Sequence, residues 1–246
     1  MTTIPYGLIV SCQAAEGEPL FGAPIMAAMA RAAEIGGAVA IRANGPEDIA
    51  AIRRAVHLPI IGLWKLRAPD SPVYITPHRT AAEAIARAGC DVIAVDATPR
   101  PRPDGATLDD LIPFIRNVLG KPVMADCACV EDALLAESLG ADYLGTTLAG
   151  YTWPHGRPMT DGPDLAFVGE LAGRVTKPII AEGRFYLPKH VARALALGAH
   201  AVCIGGAITR PQDITRRFVV EGVNGVAAND TDDTTDDTTN DTDDTI

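Results

Sequence analysis

Aromatic residues are scarce, 5% of the 246, and no apolar run approaches the ~20 residues of a membrane-spanning helix. The first residues, MTTIPYGLIVSCQ, lack a basic segment followed by an apolar one. No secretory leader is expected, and the reading is a soluble, cytoplasmic protein. Cysteine is sparse and odd in number, five in all: Cys12, Cys90, Cys127, Cys129 and Cys203. Cys127 and Cys129 are one residue apart and have no second pair, so neither a zinc knuckle nor any other metal site is expected. Four of the five lie in or beside apolar runs, where the thiol packs as a small hydrophobe. Basic residues are also outnumbered, 21 against 31 acidic ones. Eight of those acids are the aspartates of DTDDTTDDTTNDTDDTI, from Asp230 onward; without them the formal charge of −10 falls to −2. A nearly neutral body offers no basic face to nucleic acid.

What the chain has in quantity is apolar residues, 48% of the total, with 23 glycines and 19 prolines spread evenly along it. That composition excludes a disordered or collagen-like protein. At this length a single domain can bury about 70–75% of its extended surface without staples. The expected organisation is one domain over residues 1–228 and a disordered Asp/Thr-rich tail over 229–246, where apolar residues stop.

A repeat sets the fold. One series of apolar runs follows a helical stretch ending in glycine: GGAVAIRA from Gly36, AGCDVIAVDAT from Ala88, LGADYLGTT from Leu139 and LGAHAVCIGG from Leu197. A second series follows a proline: LPIIGLWK from Leu58, KPVMADC from Lys121 and KPIIAEGR from Lys177. They alternate, and GLIVSCQ from Gly7 opens the set. These eight runs are short, β-branched and unalternated, as strands buried on both faces should be. Between them PIMAAMARAAEIG, TAAEAIARAG, VEDALLAESLG and LPKHVARALALG have helical periodicity. Their closing glycines suit left-handed caps, and Pro24, Pro188 and Pro211 suit first-turn positions. Eight strand–helix units predict a (β/α)8 (TIM) barrel of the α/β class. The rival, a doubly wound open sheet, would want a G-x-G-x-x-G after its first strand, and none is there.

Barrel chemistry sits where strands give way to loops. Polar residues stand at those ends: Gln13, Arg42, Lys65, Asp96, Asp126, Thr146, Thr147, Glu182 and Arg184. Any one of them could equally cap a helix or meet water. Together they converge on one mouth suited to a small polar ligand. The last two units add glycines, Gly183 beside Arg184 and the pair Gly205-Gly206, where main-chain N–H groups can approach a phosphate. Arg210 follows within reach of the same anion. An arginine at the positive end of a helix is unfavourable unless an anion is present.

The blocks SCQAAEGEPLFG, AIRANG, LWKLRAPDSPVYITP, VDATPRPRPDG, MADCACVEDALLAESLGADYLGTTLAGYT, IAEGR and GGAITRPQDIT resemble, in order, the bacterial N-acetylmannosamine-6-phosphate 2-epimerase family. The likeness runs from about Gly7 to Phe218. It implies a TIM barrel that interconverts N-acetylmannosamine 6-phosphate and N-acetylglucosamine 6-phosphate in sialic acid breakdown, without a redox or metal cofactor. By that resemblance Lys65 is the catalytic base and Glu182 its acidic partner, while Gln13, Arg42, Asp126 and Arg210 line the sugar phosphate. It also favours a homodimer. Leu66-Arg67-Ala68 and His78-Arg79 depart from the family pattern, and the tail has no counterpart in it. A lysine at a barrel strand end also fits a Schiff-base aldolase, and a non-catalytic sugar-phosphate sensor is the binding alternative.

Overall fold

In a computed structural model, which describes residues 3–152, 156 and 162–223, eight parallel strands close into a barrel in chain order. The strands are β1 (Gly7–Cys12), β2 (Ala40–Asn44), β3 (Ile60–Leu63), β4 (Val92–Asp96), β5 (Val123–Asp126), β6 (Tyr143–Gly145), β7 (Ile179–Glu182) and β8 (Ala201–Ile204). β8 returns to pair with β1, Val10 opposite Ile204, which closes the ring. Each of the eight apolar runs is a strand. The expectations for residues 229–246 lie outside the described residues.

Helices on the outside alternate with the strands: α1 (Ala23–Ile35), α2 (Pro46–Ala55), α3 (Arg79–Ala88), α4 (Leu108–Pro113), α5 (Val130–Ser138), α6 (Leu165–Ala172) and α7 (Pro188–Ala196). After β8 come a single turn, α8 (Gly206–Thr209), and then α9 (Pro211–Arg217). Pro24, Pro188 and Pro211 all fall in first turns. The glycines act as foreseen at α3, where Gly89 caps at φ +101°; at α5 and α7 the left-handed residue is one step further on, at Gly140 and Gly198.

Two buried layers follow from the strand period. Ile9, Ile61, Ala94, Met124 and Ile180 fill the barrel interior, and Ile4 packs with them. The intervening residues, among them Val10, Ile41, Ile60, Ile93 and Val123, face the helices. With both faces covered, alternation disappears from the sequence. Cys12, Cys90, Cys127 and Cys203 are buried and none of the five is bridged. Burial pushes the Cys12 and Cys90 thiols up to about 12, as packing residues rather than nucleophiles.

Candidate active site at the barrel mouth

The interior packing stops at the carboxyl ends of the strands, where a cavity of about 700 Å³ opens. Its floor is a charged knot. Arg42 stands in the middle of β2, not at its end as expected from the sequence, and is only 1% exposed. Its guanidinium donates to Asp126 on β5 at 2.5 Å, to Glu182 on β7, and to the Thr147 hydroxyl at 3.1 Å. Thr147 in turn donates to Asp126 Oδ1 at 2.6 Å. Burial works against charge on Arg42, but Asp126 and Glu182 outweigh it and hold the guanidinium firmly protonated. Burial raises the Asp126 carboxyl above the usual carboxylate range, with Arg42 pulling the other way.

Lys65 lies two residues past β3 on a segment tied down by Thr76. Thr76 sits at φ +43°, a strained region for a β-branched residue. Three hydrogen bonds hold it there: its N–H to Trp64 O, its hydroxyl to Ala94 O, and Trp64 N–H to that hydroxyl. The Lys65 N–H donates to Asn44 Oδ1 at 2.8 Å, fastening the segment to β2. The Lys65 side chain lines the cavity and is exposed there, yet surrounding protein crowds the amine. That crowding by protein, reinforced by the positive charge of Arg42, lowers its pKa to about 8 against the opposing pull of Glu182.

The other expected residues divide by placement. Gln13, Arg42, Lys65, Glu182 and Arg210 line the cavity, as do Gly183, Arg184, Gly205 and Gly206. Asp126 does not: it is fully buried behind Arg42 and Thr147 and reaches the cavity only through them. Asp96 is also sealed off, held by Thr98 and by Arg100 at 2.7 Å. Arg184, at φ +57°, donates from Nε to Gly162 O and lies over the Tyr151 ring, and its Nη1 is buried without a partner among the described residues. Gly183 needs its glycine, with φ +109°. Gly205 and Gly206 do not: a Cβ at either would meet only ordinary contacts and would fill space on the cavity side. Arg210 is paired with Glu18 at 3.3 Å and lies 4.0 Å from Asp213, so its charge is met by carboxylates.

Ser11, Tyr74, Tyr151 and Asp213 also line the cavity and were not foreseen. Ser11 was within reach of sequence reasoning, since residues two apart on a strand share a face and Gln13 donates to its hydroxyl. Among the described residues, buried Gln13 Oε1 and Arg42 Nε have no hydrogen-bond partner, so the floor is not saturated by these groups. Among the described residues no group of three or more His, Cys, Asp or Glu side chains is placed to hold a metal ion.

Fold and mouth together define a (β/α)8-barrel enzyme with a pocket of charged and polar side chains at the carboxyl ends of its strands. The family described as "Putative N-acetylmannosamine-6-phosphate epimerase" matches residues 26–224, and the chain belongs to it. Two relatives are named "Putative N-acetylmannosamine-6-phosphate 2-epimerase". That of Caldanaerobacter subterraneus is 51% identical over 87% of this chain and 90% of its own length. That of Cutibacterium acnes is 47% identical over 86% and 92%. The solved N-acetylmannosamine-6-phosphate 2-epimerase of Clostridium perfringens superposes with a TM-score of 0.83 at 45% identity, over 87% of this chain and 92% of that one.

Proposed function

We propose that this protein interconverts N-acetylmannosamine 6-phosphate and N-acetylglucosamine 6-phosphate by moving a proton at C2, with no cofactor. The observation that carries the reading is a crowded lysine with its pKa near 8, set in the same cavity as an arginine-clamped glutamate. In the open-chain sugar the C2 hydrogen is α to the C1 carbonyl. Neutral Lys65 takes that proton, the C2–H electron pair passes into the C1–O enolate, and the Arg42 charge stabilises it. Glu182 carries the proton of the C1 hydroxyl as the ring opens and closes. The Lys65 ammonium then returns a proton to C2 once the enolate has turned its other face. Asp126 from behind and Thr147 from the cavity wall fix Arg42, which makes them positioning residues.

The phosphate is assigned to Gly183, Gly205, Gly206 and Arg210, with Arg184 at its edge. Binding energy gathered there holds C2 near the amine without taking part in the chemistry. We further assign the protein to the cytoplasm and to amino-sugar breakdown, acting as a homodimer. Among the described residues no helix is long and apolar enough to cross a membrane. Exposed Phe218, Val220 and Val223 supply apolar surface for self-association.

Proton NMR of N-acetylmannosamine 6-phosphate with the protein in D2O tests the reading. N-acetylglucosamine 6-phosphate should accumulate with deuterium at C2. A stable spectrum from folded protein would contradict it, and irreversible inactivation by borohydride in the presence of substrate would point to a Schiff-base lyase.

A further inference from the structure

Arg210 is not waiting in the cavity as a bare cation. Its Nη2 meets Glu18 Oε1 at 3.3 Å, on the connection between β1 and α1. The other carboxylate oxygen of Glu18 accepts the Ala15 N–H at 2.8 Å, and Glu18 and Ala15 also share a backbone turn. Glu18 therefore ties the connection that begins at Gln13 to the arginine beside Gly206. Asp213, whose nearest oxygen is 4.0 Å from Arg210, is itself drawn off by Arg216 at 2.7 Å. Glu18 is thus the better placed anion on Arg210. It is 25% exposed and Arg210 36%, so the pair is neither sealed in the core nor freely solvated.

We propose that Glu18 is a placeholder for the substrate phosphate: it occupies Arg210 in the empty site and gives way when the phosphate arrives. The inference rests on the assignment of phosphate to the Arg210 region made above. A carboxylate beside the guanidinium has two effects of opposite sign. It holds the arginine in the cavity wall, which helps binding, and it must be displaced by a second anion, which opposes binding. The opposing effect dominates, because Arg210 joins α8 to α9 and its backbone stays fixed there whichever form Glu18 takes. A like charge left close to the bound dianion adds repulsion in the same direction. Glu18 is a positioning residue, since it meets the substrate only through Arg210, and it limits how tightly the phosphate is held.

Glu18→Gln isolates the charge, because the amide oxygen can still accept the Ala15 N–H. Titration calorimetry with inorganic phosphate should show binding about two- to five-fold tighter than wild type, the size typical of a partly exposed ion pair. The KM for the sugar phosphate should fall with it, and that for unphosphorylated N-acetylmannosamine should not. Glu18→Asp, which keeps the charge, should stay close to wild type. Phosphate binding in Glu18→Gln that is equal to or weaker than wild type would overturn the placeholder. C2 exchange is followed in the same preparations: its absence from the wild type removes the epimerase reading, whereas exchange without tighter phosphate binding in the variant removes the placeholder alone.

Discussion

Lys65 and Arg42 line the same cavity and answer different physical demands. Arg42 is an always-charged group whose burial is offset by two carboxylates and a hydroxyl. Lys65 must lose its charge to act, and crowding by protein together with Arg42 moves its pKa down to about 8. The sign of the consequence is fixed. The rate constant kcat/KM should rise about tenfold per pH unit below 8 and level off above it, as the neutral amine becomes the majority form. A limb that keeps climbing to pH 10 would mean the lysine keeps its ordinary pKa. The same shift bears on stability: the folded state releases this proton before the unfolded chain does, so the contribution of Lys65 improves as pH rises from about 8 toward 10.5. From the sequence, both residues were expected at strand ends; Lys65 lies just past β3, whereas Arg42 is in the middle of β2. Their distinct roles could not be read there, because those depend on which carboxylates fold in behind the arginine. Asp126 shows the limit: it is the last residue of β5, yet Arg42 stands between it and the cavity.

At the scale of the element, glycine and proline made the barrel readable. Proline opened the helices after β1, β7 and β8, and left-handed glycines closed the turns into β2, β4, β6 and β8. Less visible were the helices with weaker signals. α4 carries Pro113 at its end and passes directly into a wider turn over Phe114–Val118, and α6 is a short, almost wholly apolar helix with little periodicity, although Gly162-Pro163 precedes it and the Asp164 side chain caps it by accepting the Phe167 N–H. Strand glycines also hold information that a pattern does not reveal. Gly62, in the middle of β3, has no positive φ to explain it; a Cβ there would come within 2.6 Å of Cys90 Cβ and 2.9 Å of Ile49 Cδ1. The Cβ of Cys90 is anchored to its own backbone and cannot swing away. Gly62→Ala should therefore destabilise the barrel by about 1–3 kcal/mol, the usual cost of overpacking. Urea denaturation measures it, and an unchanged midpoint would show that β3 and the turn before β4 can separate without loss.

For the whole molecule, closure of the sheet gathers residues far apart in sequence, and Arg42 touches groups 84 and 140 positions away. The eight-fold order was legible because strand burial and helix punctuation are local, whereas side-chain pairings such as Glu18 with Arg210 are written only in the closed barrel. The acidic segment beyond Ala228 stands apart by composition, with eight aspartates and no apolar residue before its last position. We propose that residues 1–228 are the cooperative unit. Deleting 229–246 should leave Tm unchanged, and a fall of several degrees would show that the segment packs on the barrel.

The central claim is that Lys65 moves the C2 proton, and solvent exchange at that carbon tests it most directly. Lys65→Met keeps the length of the side chain and removes the base. Incubated with N-acetylmannosamine 6-phosphate in D2O, the folded variant should lose both epimerisation and C2 deuteration by at least the roughly 10²–10⁴-fold that a general base contributes. Glu182→Gln should also be slow, but substrate enriched in the open-chain form should partly restore it and leave Lys65→Met unrescued. Deuterium entering C2 at near the wild-type rate in Lys65→Met would assign the proton to another group, with Glu182 first in line, and would reverse the two roles.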